Sequence, residues 1–212
     1  MTSKIKPNAP HRLIVEGRDD QWSIIALTAK HGWDWDKPDA EIPYVDNAEG
    51  VNNALEALPA AIKSCSRVGI VVDADTSPTN RWEQIGDRIR GEGFTLPTEP
   101  DVAGTVVSSG TKRVGVWLMP NNVATGKLED FLAFLVPPND GRWQHAETST
   151  REAKTLNAPF EDKDFIKALI HTWLAWQENP GQPFGTSITA TIFAHDAPLA
   201  TAFVCWLRRL YF

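Results

Sequence analysis

A chain of 212 residues, 42% of them hydrophobic, holds one well-packed core with at most a modest helical appendage, and is short for two full domains. The formal charge of -6 and a pI near 5.4 argue against a broadly basic surface of the kind that coats nucleic acid. They do not exclude a nucleic-acid enzyme, because a carboxylate site is acidic only until a cation inverts its electrostatics.

The opening stretch MTSKIKPNAPHR is polar, has no apolar run of the signal type, and reads as a loose tail; no segment approaches the length of a membrane span, so a cytoplasmic protein is expected. Leu13 to Val15 form a short β-prone run ending at Glu16-Gly17. Gln21 to His31 follow with helical spacing, and Gly32 is placed to end that helix. Ile42 to Val45 read as a second strand, and Val51 to Lys63 as a second helix that Pro59 should kink or shorten. Val68 to Val72 are continuously apolar and largely β-branched, the pattern of a strand covered on both faces in the middle of a sheet, and they end in Asp73-Ala74-Asp75.

Trp82 to Arg90 give a third helix, and Thr105 to Ser109 with Val114 to Met119 give a hairpin. The alternation predicts an α/β fold with a mainly parallel sheet flanked by helices and an antiparallel edge. From Lys127 onward helices dominate: Leu128 to Val136, roughly Arg151 to Leu156, Asp162 to Gln177 and Pro198 to Leu210. Residues 1–136 are thus expected to form the α/β domain, and 137–212 a helical extension on the same core. Cys65 and Cys205 stand in apolar or helical contexts without a CxxC partner and read as buried reduced thiols. Most of the nine tryptophans fall in apolar-periodic segments and are assigned to core packing, not to base stacking.

In an open α/β sheet the binding crevice lies outside the carboxyl ends of the strands, and both acidic clusters fall there. Asp73 and Asp75 would point the same way if the extended conformation persists, and Glu16 would join them from a neighbouring strand end. Three converging carboxylates in a partly dry crevice need a compensating charge, which Mg²⁺ or Mn²⁺ supplies. A lone acid after a strand is more often a turn former or a helix cap; the joint pattern is what points to metal.

LIVEGRDD around Glu16 and GIVVDADT around Asp73 and Asp75 resemble the Toprim domain of topoisomerases, bacterial primases and OLD-type nucleases, over roughly Arg12 to Leu135. The later segments MPNNVATGKLEDFL and KALIHTWLAWQENPGQPFG look like the stand-alone OLD-like Toprim proteins. The resemblance implies Glu16 as metal ligand or general base and Asp73 and Asp75 as ligands of Mg²⁺ or Mn²⁺. It brings in Glu129 and Asp130, which either join a second metal or simply favour the start of a helix. Asp19 and Asp20 read as helix-start residues. The tyrosine-bearing module of topoisomerases has no counterpart, so strand passage through a phosphotyrosine is not expected.

Phosphoryl transfer also needs positive charge beside the scissile phosphate, and Lys163 and Lys167, one helical turn apart, are candidates, although a solvated helix face explains them as well. Lys112, Arg113 and Lys127 carry the same ambiguity. The leading expectation is a metal-dependent phosphodiesterase acting on nucleic acid, in phage defence or DNA repair. One rival is a haloacid-dehalogenase-like phosphatase with Asp73 as nucleophile, although its DxDxT motif normally opens the fold. The other is a non-catalytic metal-binding Toprim module that partners an ATPase, docking through the amphipathic LATAFVCWLRRLYF segment, for which core burial is the competing account.

Overall fold

The computed structural model describes residues 8–36 and 41–212, so most of the polar opening stretch lies outside the described residues. Five strands form one sheet in the order β2-β1-β3-β5-β4, with β1 His11–Val15, β2 Tyr44–Asn47, β3 Arg67–Asp73, β4 Thr105–Ser109 and β5 Lys112–Met119. Of the strand pairs among the described residues, only β4–β5 at the edge is antiparallel. The β-branched strand β3 takes the central place expected of it, between β1 and β5.

Alternation along the central strands divides the core in two. Ile14, Val68, Ile70, Val72, Val114, Val116 and Leu118 face helices α2 (Val51–Ser64) and α3 (Pro78–Arg90). Leu13, Val15, Val71, Trp117 and Met119 face the other way, onto α1 (Arg18–Lys30) and the carboxy-terminal helices. Those are α4 (Leu128–Ala133), α5 (Gly141–Thr155), α6 (Phe165–Leu174), α7 (Phe184–Thr189) and α8 (Pro198–Tyr211). The arrangement is the α/β, mainly parallel, helix-flanked fold with a helical extension that the sequence predicts, and it is consistent with a Toprim-like fold. Among the described residues, no helix is long and apolar enough to cross a membrane.

Helix α8 lies directly on the sheet because Gly69 of β3 and Gly115 of β5 are register partners on that face. A Cβ at Gly69 would come within 2.6 Å of Leu13 Cδ1 and 2.7 Å of the Tyr211 hydroxyl, and one at Gly115 within 2.6 Å of Leu210. Phe203, Trp206, Leu207, Leu210 and Tyr211 are fully buried there, each such side chain contributing roughly 1.5–3 kcal/mol. The apolar face of LATAFVCWLRRLYF is therefore part of this core, and it is not left open as a docking surface.

Several expectations need correction. Strand β2 runs two residues later than its apolar run suggests, because its parallel pairing with β1 extends to Asp46 and Asn47. Helix α2 spans Val51–Ser64, as expected, but is not shortened at Pro59; Leu55, Leu58, Ala61 and Ile62 are buried, and that packing outweighs the lost hydrogen bond. Helix α5 starts ten residues before the expected Arg151: it buries only Ala146 and Thr150 fully, so its sequence carries little apolar periodicity. Helix α7 is six residues long, too short for its sequence to show a helical period. Cys65 is buried but Cys205 is exposed, and both are free thiols. Of the tryptophans, Trp22 and Trp143 are half-buried and Trp176 is 40% exposed, while the other six are buried.

Candidate active site

Helix α1 returns from β1 to β2 over one face, and α2 returns from β2 to β3 over the other, so the strand order reverses beside β1. A crevice opens at such a reversal, outside the carboxyl ends of β1 and β3. In-register pairing of Val15 with Val71 puts Glu16 and Asp73 at that same edge. A cleft of about 470 Å³ occupies it.

Glu16 and Asp73 meet there, as expected. The Asp73 backbone N–H donates to Glu16 Oε2 at 3.3 Å, and the Leu128 N–H at the start of α4 donates to Asp73 Oδ1 at 3.0 Å. Burial, then the carboxylates of Asp20, Glu16, Glu129 and Asp75, push the Asp73 carboxyl up to about 9. Burial also raises Glu16, against the partial relief of its hydrogen bond from Asp73.

Asp20 belongs to the same cluster, although its sequence position suggests only a helix-start role. That role is real: the Gly17 N–H donates to Asp20 Oδ2 at 3.0 Å. Its other oxygen, Oδ1, is buried without a hydrogen-bond partner, and burial together with Glu16 pushes the carboxyl up to about 7. The missed signal is its place four residues after Glu16, one turn into α1, which brings it back over the strand end.

The remaining candidates divide. Glu129 lines the cleft, its Oε1 3.5 Å from the Lys167 ammonium. Lys163 and Lys167 both line it too, though Lys163 is held by Glu161 at 2.9 Å. Lys127, which the sequence left between a loop and a site role, lines the cleft 3.8 Å from Asp164. Asp130 instead turns back to accept the Lys127 N–H at 2.8 Å, a helix cap, and burial raises its carboxyl. Gly126 takes a φ of +136°, and a Cβ there would meet that carboxylate at 2.6 Å.

Asp75 departs furthest from expectation. The extended conformation stops at Asp73; Asp75 has a φ of +49° and its backbone bonds reciprocally with Gly126 at 2.9 and 2.8 Å. Its carboxylate accepts from Arg81 Nη2 at 2.8 Å, while Arg81 Nε holds the Asp73 carbonyl at 2.9 Å. Lys112 and Arg113 begin β5 at the opposite end of the sheet, where they cap backbone carbonyls of Lys63 and Arg209.

Six carboxylates, Glu16, Asp19, Asp20, Asp73, Glu129 and Asp164, thus face four cations, Arg18, Lys127, Lys163 and Lys167, around the cleft. Among the described residues, no group of three or more His, Cys, Asp or Glu is arranged as a ready-made metal cage. The donor chemistry nevertheless fits a hard divalent ion. The oxygens are carboxylate oxygens, those of Glu16, Asp20 and Asp73 are desolvated, one buried oxygen of Asp20 is orphaned, and Mg²⁺ needs only one or two carboxylates because it keeps several waters.

No curated protein and no solved structure matches the chain. The family model described as "Protein of unknown function (DUF3226)" matches residues 10–212, from just before β1 to the last residue, and the chain belongs to that family.

Proposed function

We propose that this protein is a Toprim-like, Mg²⁺- or Mn²⁺-dependent phosphodiesterase that hydrolyses nucleic acid in the cytoplasm, where its two free thiols are stable. The observation that carries the reading is Asp73. Its carboxyl, at a central strand end and beside Glu16, is driven up to about 9 by burial and by neighbouring acids, a cost that a bound cation removes. Asp73, with Asp20 and Glu129 nearby, would hold the ion, which leaves Glu16 for proton transfer. Bound there, it would supply Lewis-acid polarisation of a phosphoryl oxygen.

The chain's own residues provide the rest. Glu16, its carboxyl made more basic by burial, takes the proton from the attacking water. The water oxygen bonds to phosphorus as the P–O bond to the leaving strand breaks. Lys167 and Lys127 lie across the cleft, where their ammonium charge stabilises the non-bridging and leaving oxygens. Rigid strand ends and helix starts hold these groups in place, which is what positional catalysis requires.

The test is a cleavage panel over plasmid, single-stranded DNA and RNA with Mg²⁺ or Mn²⁺, comparing wild type with Glu16→Ala and Asp73→Ala. Cleavage by wild type, reduced about 10²- to 10⁴-fold in Glu16→Ala, is expected. Cleavage that survives both substitutions overturns the mechanism. Uniform inactivity, with metal-dependent stabilisation intact, would favour the non-catalytic module that partners an ATPase.

A further inference from the structure

Beside the acidic cleft, a second groove of about 620 Å³ runs between α1 and α7. Its walls are Trp22, Ile25 and Ala26 from α1, with Pro183 and Gly185 from the α7 side. Arg18 and Asp19 line both the groove and the acidic cleft, so the two spaces adjoin at the first turn of α1.

The two spaces differ in chemistry. The cleft is lined by opposed charges, whereas the groove has an indole and aliphatic walls, with the exposed residues Thr186 and Thr189 at its rim. Trp22 is only half-buried, and no hydrogen bond among the described residues ties its indole N–H, unlike those of the buried Trp82 and Trp206. Gly185 lets the helices approach: a Cβ there would meet the Trp22 carbonyl oxygen at 2.8 Å. The backbone of α7 thereby supports the residue that carries the indole.

We propose that this groove receives an unpaired nucleobase of the substrate, stacked on Trp22, with the adjoining phosphate at Arg18 and the scissile phosphate in the acidic cleft. The proposal rests on the phosphodiesterase reading and adds the substrate class: single-stranded nucleic acid, or a duplex end with an unpaired overhang. A flat ring with apolar faces and a polar edge matches an apolar groove with hydroxyls at its rim. A base still stacked in a duplex could not enter a groove between two helices without being extruded. Base-on-aromatic stacking is sequence-tolerant, so the preference should be for strandedness and not for sequence.

The experiment measures binding of fluorescently labelled single-stranded and blunt duplex oligonucleotides to the full chain, with Ca²⁺ in place of Mg²⁺, so that the cleft is neutralised while the larger ion's looser coordination slows turnover. Trp22→Ala is expected to weaken single-strand binding about 5- to 150-fold, the ratio that stacking of roughly 1–3 kcal/mol per base gives, and to leave duplex binding unchanged. Trp22→Phe should restore much of that loss. Because Trp22 also packs against the core, Thr186→Glu at the exposed rim is the second variant; it should repel the strand and reproduce the selective loss without lowering the melting temperature. Unaltered single-strand binding in both Trp22→Ala and Thr186→Glu overturns the subsite, and so does a wild type that binds duplex as tightly as single strand. Either result leaves the metal mechanism standing if cleavage still depends on Glu16. Selective binding without Glu16-dependent cleavage would retain the base groove and remove the phosphodiesterase.

Discussion

The carboxylate of Glu16 hydrogen-bonds to the backbone N–H of Asp73 at 3.3 Å, across the ends of two parallel strands that are 57 residues apart in the chain. That bond fixes the Glu16 side chain beside the Asp73 carboxyl and uses one of its lone pairs; among the described residues its other oxygen has no hydrogen bond. The pair is rigid because both residues end strands of the buried sheet, and it is electrostatically loaded because two acids share one poorly solvated edge.

This loading makes the metal-free protein sensitive to pH. Asp73 titrates near 4 when unfolded and at about 9 when folded, and Asp20 at about 7. For an acid whose folded value is raised, the native state binds the extra proton between those limits. Its contribution is fully present below about pH 4 and is lost as pH rises through the folded values. Chelator-treated wild type should therefore melt at progressively lower temperature from pH 5 to pH 9, and Asp73→Asn should flatten the slope. Parallel slopes in the two proteins would contradict the assignment.

Divalent cation should reverse the loss. Mg²⁺ at about 100 times its dissociation constant adds roughly 2.7 kcal/mol, which for a chain of this size raises the melting temperature by about 5–10 °C. The shift should be larger at pH 8 than at pH 5, where protons compete for the same oxygens, and Asp73→Asn should abolish it. Scanning fluorimetry with and without EDTA is sufficient to read it.

The two lysines across the cleft should not be equivalent. Both side chains are largely exposed, but Lys167 approaches the buried Glu129 at 3.5 Å, whereas Lys163 is bound to the exposed Glu161. Lys167→Met should lower cleavage about 10²- to 10³-fold, in line with removal of one stabilising donor. Lys163→Met should stay within about threefold of wild type, because exposed ion pairs contribute little. Equal losses would mean that both ammonium groups reach the phosphate.

Stability has a separate weak point at the paired glycines under α8. Gly69→Ala puts a methyl 2.6 Å from Leu13 and 2.7 Å from the Tyr211 hydroxyl, which donates to the Arg12 carbonyl at 2.7 Å. Overpacking of this kind costs about 1–3 kcal/mol, or roughly 2–12 °C. Gly91→Ala, with φ of -63° and open space around it, should be neutral or slightly stabilising, since it restricts only the unfolded chain. Thermal melts of the two variants side by side give the comparison.

What the sequence made legible follows from which elements are buried on a regular face. Strand β3 and the β4–β5 hairpin could be read because hydrophobicity there matches the strand pattern, and Glu16 could be placed beside Asp73 because parallel strands end together. Helix α5 could not, since most of its surface meets solvent and its sequence therefore looks like a loop. The place of Asp20 in the site was hidden because an aspartate in the first helical turn already has a sufficient explanation as a cap. The conformation of Asp75 was hidden because its positive φ is set by pairing with Gly126, fifty-one residues away, and no local pattern encodes that partner.

Asp75 also supplies the sharpest division within the acidic motif. Read as an extended Asp-x-Asp pair, both aspartates would bind the cation equally. In the folded chain the Asp75 carboxylate is neutralised by Arg81 at 2.8 Å and is 41% exposed, while the Asp73 carboxylate faces the cleft among other acids, with the Leu128 N–H as its one hydrogen-bond donor among the described residues. Asp75→Asn should therefore retain most of the metal-induced stabilisation that Asp73→Asn loses. Arg81→Gln should then uncover a second carboxylate beside the cleft and tighten Mn²⁺ binding, because one nearby cation has been removed. Titration calorimetry on the three variants measures both effects, and equal loss of affinity in Asp73→Asn and Asp75→Asn would restore the symmetrical reading and show that Arg81 gives up its partner when the ion binds.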